Sequence, residues 1–135
     1  MAEPGIGIVG LGGFGVFCLA AFADMSEITV AAAADSDPHR AAIAEEFGAR
    51  VYTRYEDLLA DPGVQIVAIN TPPYLHARMA IEAARAGKHL FVEKPLATSL
   101  DDAHRVIQAA QEAGVLLTVD YVLRFHPLHQ LAAKI

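Results

Sequence analysis

From Gly5 to Gly15 the chain reads Gly-Ile-Gly-Ile-Val-Gly-Leu-Gly-Gly-Phe-Gly. Few structures accept such a stretch, because its six glycines disfavour a continuous helix. Ile6-Gly7-Ile8-Val9 is a short apolar run of the kind that forms a buried strand. It ends in Gly10-Leu11-Gly12-Gly13-Phe14-Gly15, a G-x-G-x-x-G turn, and the apolar segment Val16 to Ala23 predicts a helix after it. Each motif glycine has a mechanical task. Gly10 permits the tight turn out of the strand. Gly12, without a Cβ, lets a pyrophosphate approach the backbone. Gly15 lets the helix pack closely on the strand. The unpaired N–H groups and the positive end of the helix dipole then face the phosphates.

G-x-G-x-x-G alone is cheap in a glycine-rich segment, and the acid that follows strengthens it. Ile28 to Ala34 reads as a second strand closed by Asp35, 20 residues beyond Gly15. That is near the spacing of the carboxylate that binds adenosine ribose hydroxyls. An acidic residue ending a strand in a loop is the plainer alternative. Strand, glycine turn, helix, strand and acid in that order favour a nucleotide.

The 135 residues suffice for one domain with its own core. Hydrophobic residues make up 54% and the mean hydropathy is +0.34, which implies that part of the surface is normally covered. The net charge of −6 without a basic block argues against nucleic acid. The single cysteine, Cys18, cannot form an internal disulfide. No charged residue lies between Gly5 and Ala23, as in a signal or membrane segment, but only Glu3 precedes it where a secretory signal carries basic residues. The expectation is a soluble cytoplasmic protein with no membrane contact.

Asp37-Pro38 opens a predicted helix through Phe47, with Asp37 as N-cap and Gly48 as its end. A strand follows at 50–52, a helix over 53–60, and a turn at Asp61-Pro62-Gly63. Val64 to Ile69 reads as a strand buried on both faces. Asn70-Thr71-Pro72-Pro73 breaks regularity before a helix over 74–86. His89 to Val92 is the next strand, followed by Glu93-Lys94-Pro95. Ser99 caps a helix that ends at Gly114, and Val115 to Val119 is the sixth strand. Pro127 starts a final helix cut short at Ile135. Strands alternating with helices predict an α/β, doubly wound parallel sheet (Rossmann) of about six strands in order 3-2-1-4-5-6. All the notable residues then fall at the carboxyl edge of the sheet, where such folds bind ligands.

With these residues in place the chain resembles the glucose–fructose oxidoreductase, inositol dehydrogenase and MocA-like (Gfo/Idh/MocA) family. The resemblance rests on Gly10, Gly12 and Gly15, on Asp35, and on Thr71-Pro72 with His76. It also rests on Ala86-Gly87-Lys88-His89 before Glu93-Lys94-Pro95, and on Arg124-Phe125-His126-Pro127. Glu-Lys-Pro in this setting is its most specific part. It implies an NAD or NADP cofactor and hydride transfer to or from sugars, polyols or related alcohols and ketones. It places Lys94 beside the nicotinamide and the reacting carbon, where an ammonium would stabilise charge on a carbonyl oxygen. A solvated lysine after a strand is the commoner fate of that residue type. Gly10 to Gly15, Asp35, Ser36, Arg40, Asn70, Thr71, Pro72, His76, Glu93, Lys94 and Arg124 are thereby the expected cofactor contacts.

Asp35, with Ser36 after it, predicts NAD over NADP, and Arg40, one turn into the next helix, is the residue that would admit NADP. A cis peptide is predicted at Lys94-Pro95, since X–Pro is where that isomer is cheapest. The family's second, mostly β domain, which supplies substrate contacts, has no counterpart here. Residues 1–123 are therefore read as the cofactor domain and 124–135 as the start of a connection. Cofactor binding with poor turnover is expected, as is an apolar face that self-associates. A homo-oligomer, a non-catalytic NAD-binding module and an S-adenosylmethionine-binding Rossmann domain stay open as alternatives. Asp35 and the Glu-Lys-Pro setting weigh against the last. His126 and His129 are read as surface or domain-contact residues and not metal ligands. Glu45-Glu46 is read as a solvated helix face.

Overall fold

A computed structural model describes residues 3–134. Met1, Ala2 and Ile135 lie outside the described residues, and with them the extremes of the two predicted segments. Six strands, β1 (Gly5–Val9), β2 (Thr29–Ala34), β3 (Arg50–Tyr52), β4 (Ile66–Ile69), β5 (His89–Glu93) and β6 (Leu117–Asp120), form one sheet. Its order is β3-β2-β1-β4-β5-β6, with every pairing parallel, as the alternation predicted.

Helices cover both faces because the strand side chains alternate. Ile6 and Ile8 of β1 point to the side of α1 (Gly13–Ala23), where they pack with Leu11, Leu19 and Ala44. Val9 points to the opposite side. There it joins Leu58 of α3 (Tyr55–Ala60), Met79 and Ala80 of α4 (Pro73–Arg85), and Val106 of α5 (Leu100–Ala113). A register shift between Ile6 and Gly7 advances β2 by one residue, so Ile6 faces Val30 while Gly7 faces Ala32. Such a shift marks a bulge, and it puts Val30 and Ala33 on one face and Ala32 and Ala34 on the other.

Two helices differ from expectation. The first starts at Gly13 and not at Val16. Gly13 and Gly15 therefore lie inside its first turn, where tertiary packing overrides their poor propensity. The helix predicted through Phe47 is one α-turn, α2 (Pro38–Ala41), followed by a 3₁₀ segment over Ala42–Phe47 that closes on left-handed Gly48 (φ 73°). A 3₁₀ helix stacks residues three apart, and Ala41 and Ala44, both fully buried, are three apart. Caps follow the sequence: Asp37 accepts from His39 N–H at 2.9 Å, and Ser99 accepts from Asp102 N–H at 3.1 Å. The predicted sixth strand begins two residues late, at Leu117. Beyond it, a 3₁₀ turn (Val122–Phe125) and α6 (Pro127–Ala132) carry no buried residue.

Candidate dinucleotide site

β1 has neighbours on both sides whose crossovers run in opposite directions, so a crevice opens beyond its carboxyl end. The glycine turn occupies that point. Gly10 has φ 85°, which a residue with a Cβ rarely adopts, and a Cβ there would lie 2.8 Å from the Asn70 carbonyl oxygen. A Cβ on Gly15 would run into the Gly10 carbonyl oxygen. Gly12 is the opposite case: a Cβ there would meet nothing within 4 Å. The turn is therefore packed tight on its protein side and open on the other. Gly12 caps α1 without any side-chain hydrogen bond, so the first N–H groups of that helix are left for an outside acceptor.

Beside the turn lies a cleft of about 310 Å³ whose near side is formed by Gly10, Asp35, Ser36, Arg40, Thr71 and Pro72. Sequence reasoning did not find its other wall, Tyr74, Leu75, Arg78 and Met79 of α4, nor its floor at Thr53 and Tyr55. The periodicity of α4 marks it as a helix but does not tell which exposed residues face a cavity. Tyr55 is fixed there by donating its hydroxyl to the Met79 carbonyl at 2.7 Å.

The Asp35 carboxylate does more than the motif implies. Oδ2 accepts from Leu11 N–H at 2.8 Å, and Oδ1 accepts from Asp37 N–H at 2.9 Å. It ties the glycine turn to the start of α2 while each oxygen keeps lone-pair capacity for a further donor. Leu11, one of the expected cofactor contacts, is held by this bond. Its N–H is engaged by Asp35 and its side chain, 2% exposed, is core. Arg40 Nε lies 3.7 Å from Oδ2 of Asp37, one turn earlier at the start of α2. Phe14 is 40% exposed and stacks on Phe17. The Asn70 side-chain amide is enclosed against the turn with no hydrogen-bond partner among the described residues.

His76 does not sit on the surface, the plainer reading of a histidine at a helix start: it is fully buried. Its Nδ1 is 2.7 Å from the Pro95 carbonyl oxygen and its Nε2 is 2.8 Å from the Thr71 carbonyl oxygen. A neutral ring carries one N–H and donates to one carbonyl, while a ring with both nitrogens protonated donates to both. Arg124 is not brought to the cleft; it lies on the exposed 3₁₀ turn beyond β6. His126 and His129 meet edge to face at 5.6 Å.

Glu93 and Lys94 close the neighbouring part of the edge. The Lys94–Pro95 peptide is cis, as predicted. Lys94 Nζ is 3.8 Å from Glu93 Oε1, with the lysine side chain 65% exposed. Glu93 stands in register with Asp120 of β6, and its Oε2 is buried without a hydrogen-bond partner among the described residues. Burial, with the Asp120 charge adding to it, pushes the Glu93 carboxyl above the usual range, against the pull of the Lys94 N–H and ammonium. The same two carboxylates add to burial in raising the Cys18 thiol to about 11.

An open glycine turn, uncapped helix N–H groups and a carboxylate in one crevice define a dinucleotide-binding domain, and the residues fit that ligand. The chain belongs to the Gfo/Idh/MocA oxidoreductase family, NAD-binding Rossmann fold, whose model matches residues 5–121. It is 40% identical over 131 residues to the D-xylose 1-dehydrogenase (NADP(+)) 2 of Haloferax volcanii, covering 96% of this chain and 40% of that enzyme. Among solved structures it resembles KijD10, a 3-ketoreductase from Actinomadura kijaniata in complex with NADP. The TM-score is 0.92 at 32% identity, over 98% of this chain and 43% of that one. The WlbA dehydrogenase from Bordetella pertussis, in complex with NADH and UDP-GlcNAcA, gives the same TM-score of 0.92 and 32% identity, over 98% and 41%. The chain thus spans about two fifths of the length of these relatives. Among the described residues no helix is long and apolar enough to cross a membrane.

Proposed function

We propose that this chain is the cofactor domain of an oxidoreductase that transfers hydride to or from a sugar, polyol or related alcohol or ketone. The observation that carries it is the juxtaposition of the open Gly12 turn and Asp35 with the Lys94 edge one strand beyond β4. The nicotinamide, when bound, supplies or accepts the hydride. The chain's own residues do the rest. The N–H groups at the start of α1 hold the pyrophosphate. Asp35 accepts the adenosine ribose hydroxyls and disfavours a 2′-phosphate, so NAD is the preferred cofactor. Lys94 presents an ammonium to the substrate oxygen. It donates a proton as a carbonyl becomes an alcohol, and takes one back in the reverse direction. Glu93, 3.8 Å from Lys94 Nζ, adds a neighbouring carboxylate. The names of the relatives, a xylose dehydrogenase, a 3-ketoreductase and a dehydrogenase bound to UDP-GlcNAcA, support a sugar-related substrate.

Titration with NADH and NADPH, followed by an assay of NADH formation with a panel of sugars and polyols, tests this. Binding without turnover is expected for residues 1–135, because substrate positioning, worth roughly 7–11 kcal/mol of barrier, needs contacts beyond one lysine. Failure to bind either dinucleotide would remove the reading. Turnover abolished by Lys94→Ala would place the substrate site within these residues.

A further inference from the structure

His76 is fully buried, and it joins the loops that follow the adjacent strands β4 and β5, of which the first lines the cleft. Thr71, whose carbonyl it reaches at 2.8 Å, follows β4 and lines the dinucleotide cleft. Pro95, whose carbonyl it reaches at 2.7 Å, follows β5 and is bonded to Lys94. Among the described residues no other side-chain hydrogen bond connects these two loops.

Lys94 needs such support. Its side chain is 65% exposed, and its nearest opposite charge, Glu93 Oε1, is 3.8 Å away, beyond hydrogen-bond length. Nothing at the ammonium itself fixes where it points. A lysine with four rotatable side-chain bonds is then aimed through its backbone. That backbone is held on one side by β5 and on the other by the Pro95 carbonyl on His76. A displacement of about 1 Å at an acid–base group is enough to cost on the order of 10²-fold in rate.

We infer that His76 is a positioning residue for Lys94: seated between the Pro95 and Thr71 carbonyls and donating to one of them, it sets the distance between the ammonium and the cofactor edge. This rests on Lys94 being the acid–base group of the proposed function. A core histidine kept for packing alone would share the burial, but an apolar residue of similar size would then serve in its place.

The test is competitive labelling of lysines with an amine-selective acylating reagent, read by mass spectrometry, with and without saturating NADH. The unsubstituted chain, His76→Leu and His76→Gln are compared. The leucine removes any donation to either carbonyl, and the glutamine keeps a side-chain donor and is the milder change. Lys88 is the internal reference, because its Nζ donates to the Val64 carbonyl at 2.6 Å and labels fast only if the fold opens. In the unsubstituted protein, NADH is expected to slow labelling of Lys94 about tenfold, the size of one charge-assisted contact. In the variants NADH affinity should stay within about threefold, since the glycine turn is untouched, and Lys88 should stay slow, while protection of Lys94 falls towards none. Protection retained in both variants would overturn the positioning role and leave the proposed function standing. No protection in the unsubstituted chain would overturn the inference together with the reading it rests on. Fast Lys88 labelling in both variants would show that His76 serves the fold alone, which also overturns it.

Discussion

Four residues give sharp expectations. Gly12 and Gly15 share a motif but fail differently. Gly15→Ala pushes a methyl into the Gly10 carbonyl oxygen, so it should lower stability by about 1–3 kcal/mol and weaken NADH binding with it. Gly12→Ala meets no protein atom within 4 Å. It should leave the melting temperature unchanged and lose NADH affinity only, because the methyl occupies the path of the pyrophosphate. Thermal melts beside fluorescence titrations separate the two. Asp35→Asn removes the charge that the proposed function sets against the adenosine ribose, so a preference for NADH over NADPH resting on it should shrink about tenfold, as the ratio of the two Kd values measures. Cys18, 5% exposed, has its thiol pushed to about 11 by burial and then by Asp120 and Glu93. At pH 8 only about one thiol in a thousand is thiolate. Alkylation by iodoacetamide should be slow in the folded chain and fast after denaturation.

At the scale of elements, the edge strand β3 is pinned by a residue the sequence marks only as a turn former. Asp61, 4% exposed, accepts from Arg50 Nε at 2.6 Å, Arg50 Nη2 at 2.7 Å, Gly63 N–H at 2.8 Å and Tyr52 hydroxyl at 3.1 Å. These bonds join β3 to the turn before β4. The Arg50 fork, against the cost of burial, holds the Asp61 carboxyl below the usual range, with Gly63 and Tyr52 adding to it. A lowered carboxylate contributes stability above its unfolded value, near 3.9, and loses it as pH falls through the lower folded value. Asp61→Asn should therefore cost about 2 kcal/mol at pH 7, a figure kept small because Arg50 is half-exposed. The deficit should narrow by pH 3. Urea unfolding at the two pH values measures both. Glu93 works in the opposite direction: its raised carboxyl removes stability as pH climbs past the ordinary glutamate value.

For the whole molecule, the sheet is closed by helices on the α3–α4–α5 side along its length. On the α1 side, β5 is reached only near Phe22, whose ring meets Phe91 edge to face at 5.4 Å. Large apolar side chains remain outside, among them Phe17 at 65%, Phe125 at 78% and Leu128 at 70% exposed. Exposed apolar area of this kind drives association. Light scattering should report a mass that rises with concentration, and Phe17→Ser with Phe125→Ser should reduce it. A constant monomer mass at high concentration would contradict this.

Features local in the chain were legible before any coordinates. The glycine turn, the acid 20 residues later, the caps at Asp37 and Ser99 and the alternation of strand and helix are set by short-range sterics and hydrogen bonding. Right-handed crossovers then leave few sheet orders, so β3-β2-β1-β4-β5-β6 followed. What stayed hidden were pairings that exist only once distant segments meet. Asp35 holds Leu11 across 24 residues, His76 holds Pro95 across 19, and Asp61 holds Arg50 across 11. No periodicity encodes these contacts. Burial decided them, by removing water as the alternative partner of each polar group and so making one protein partner obligatory.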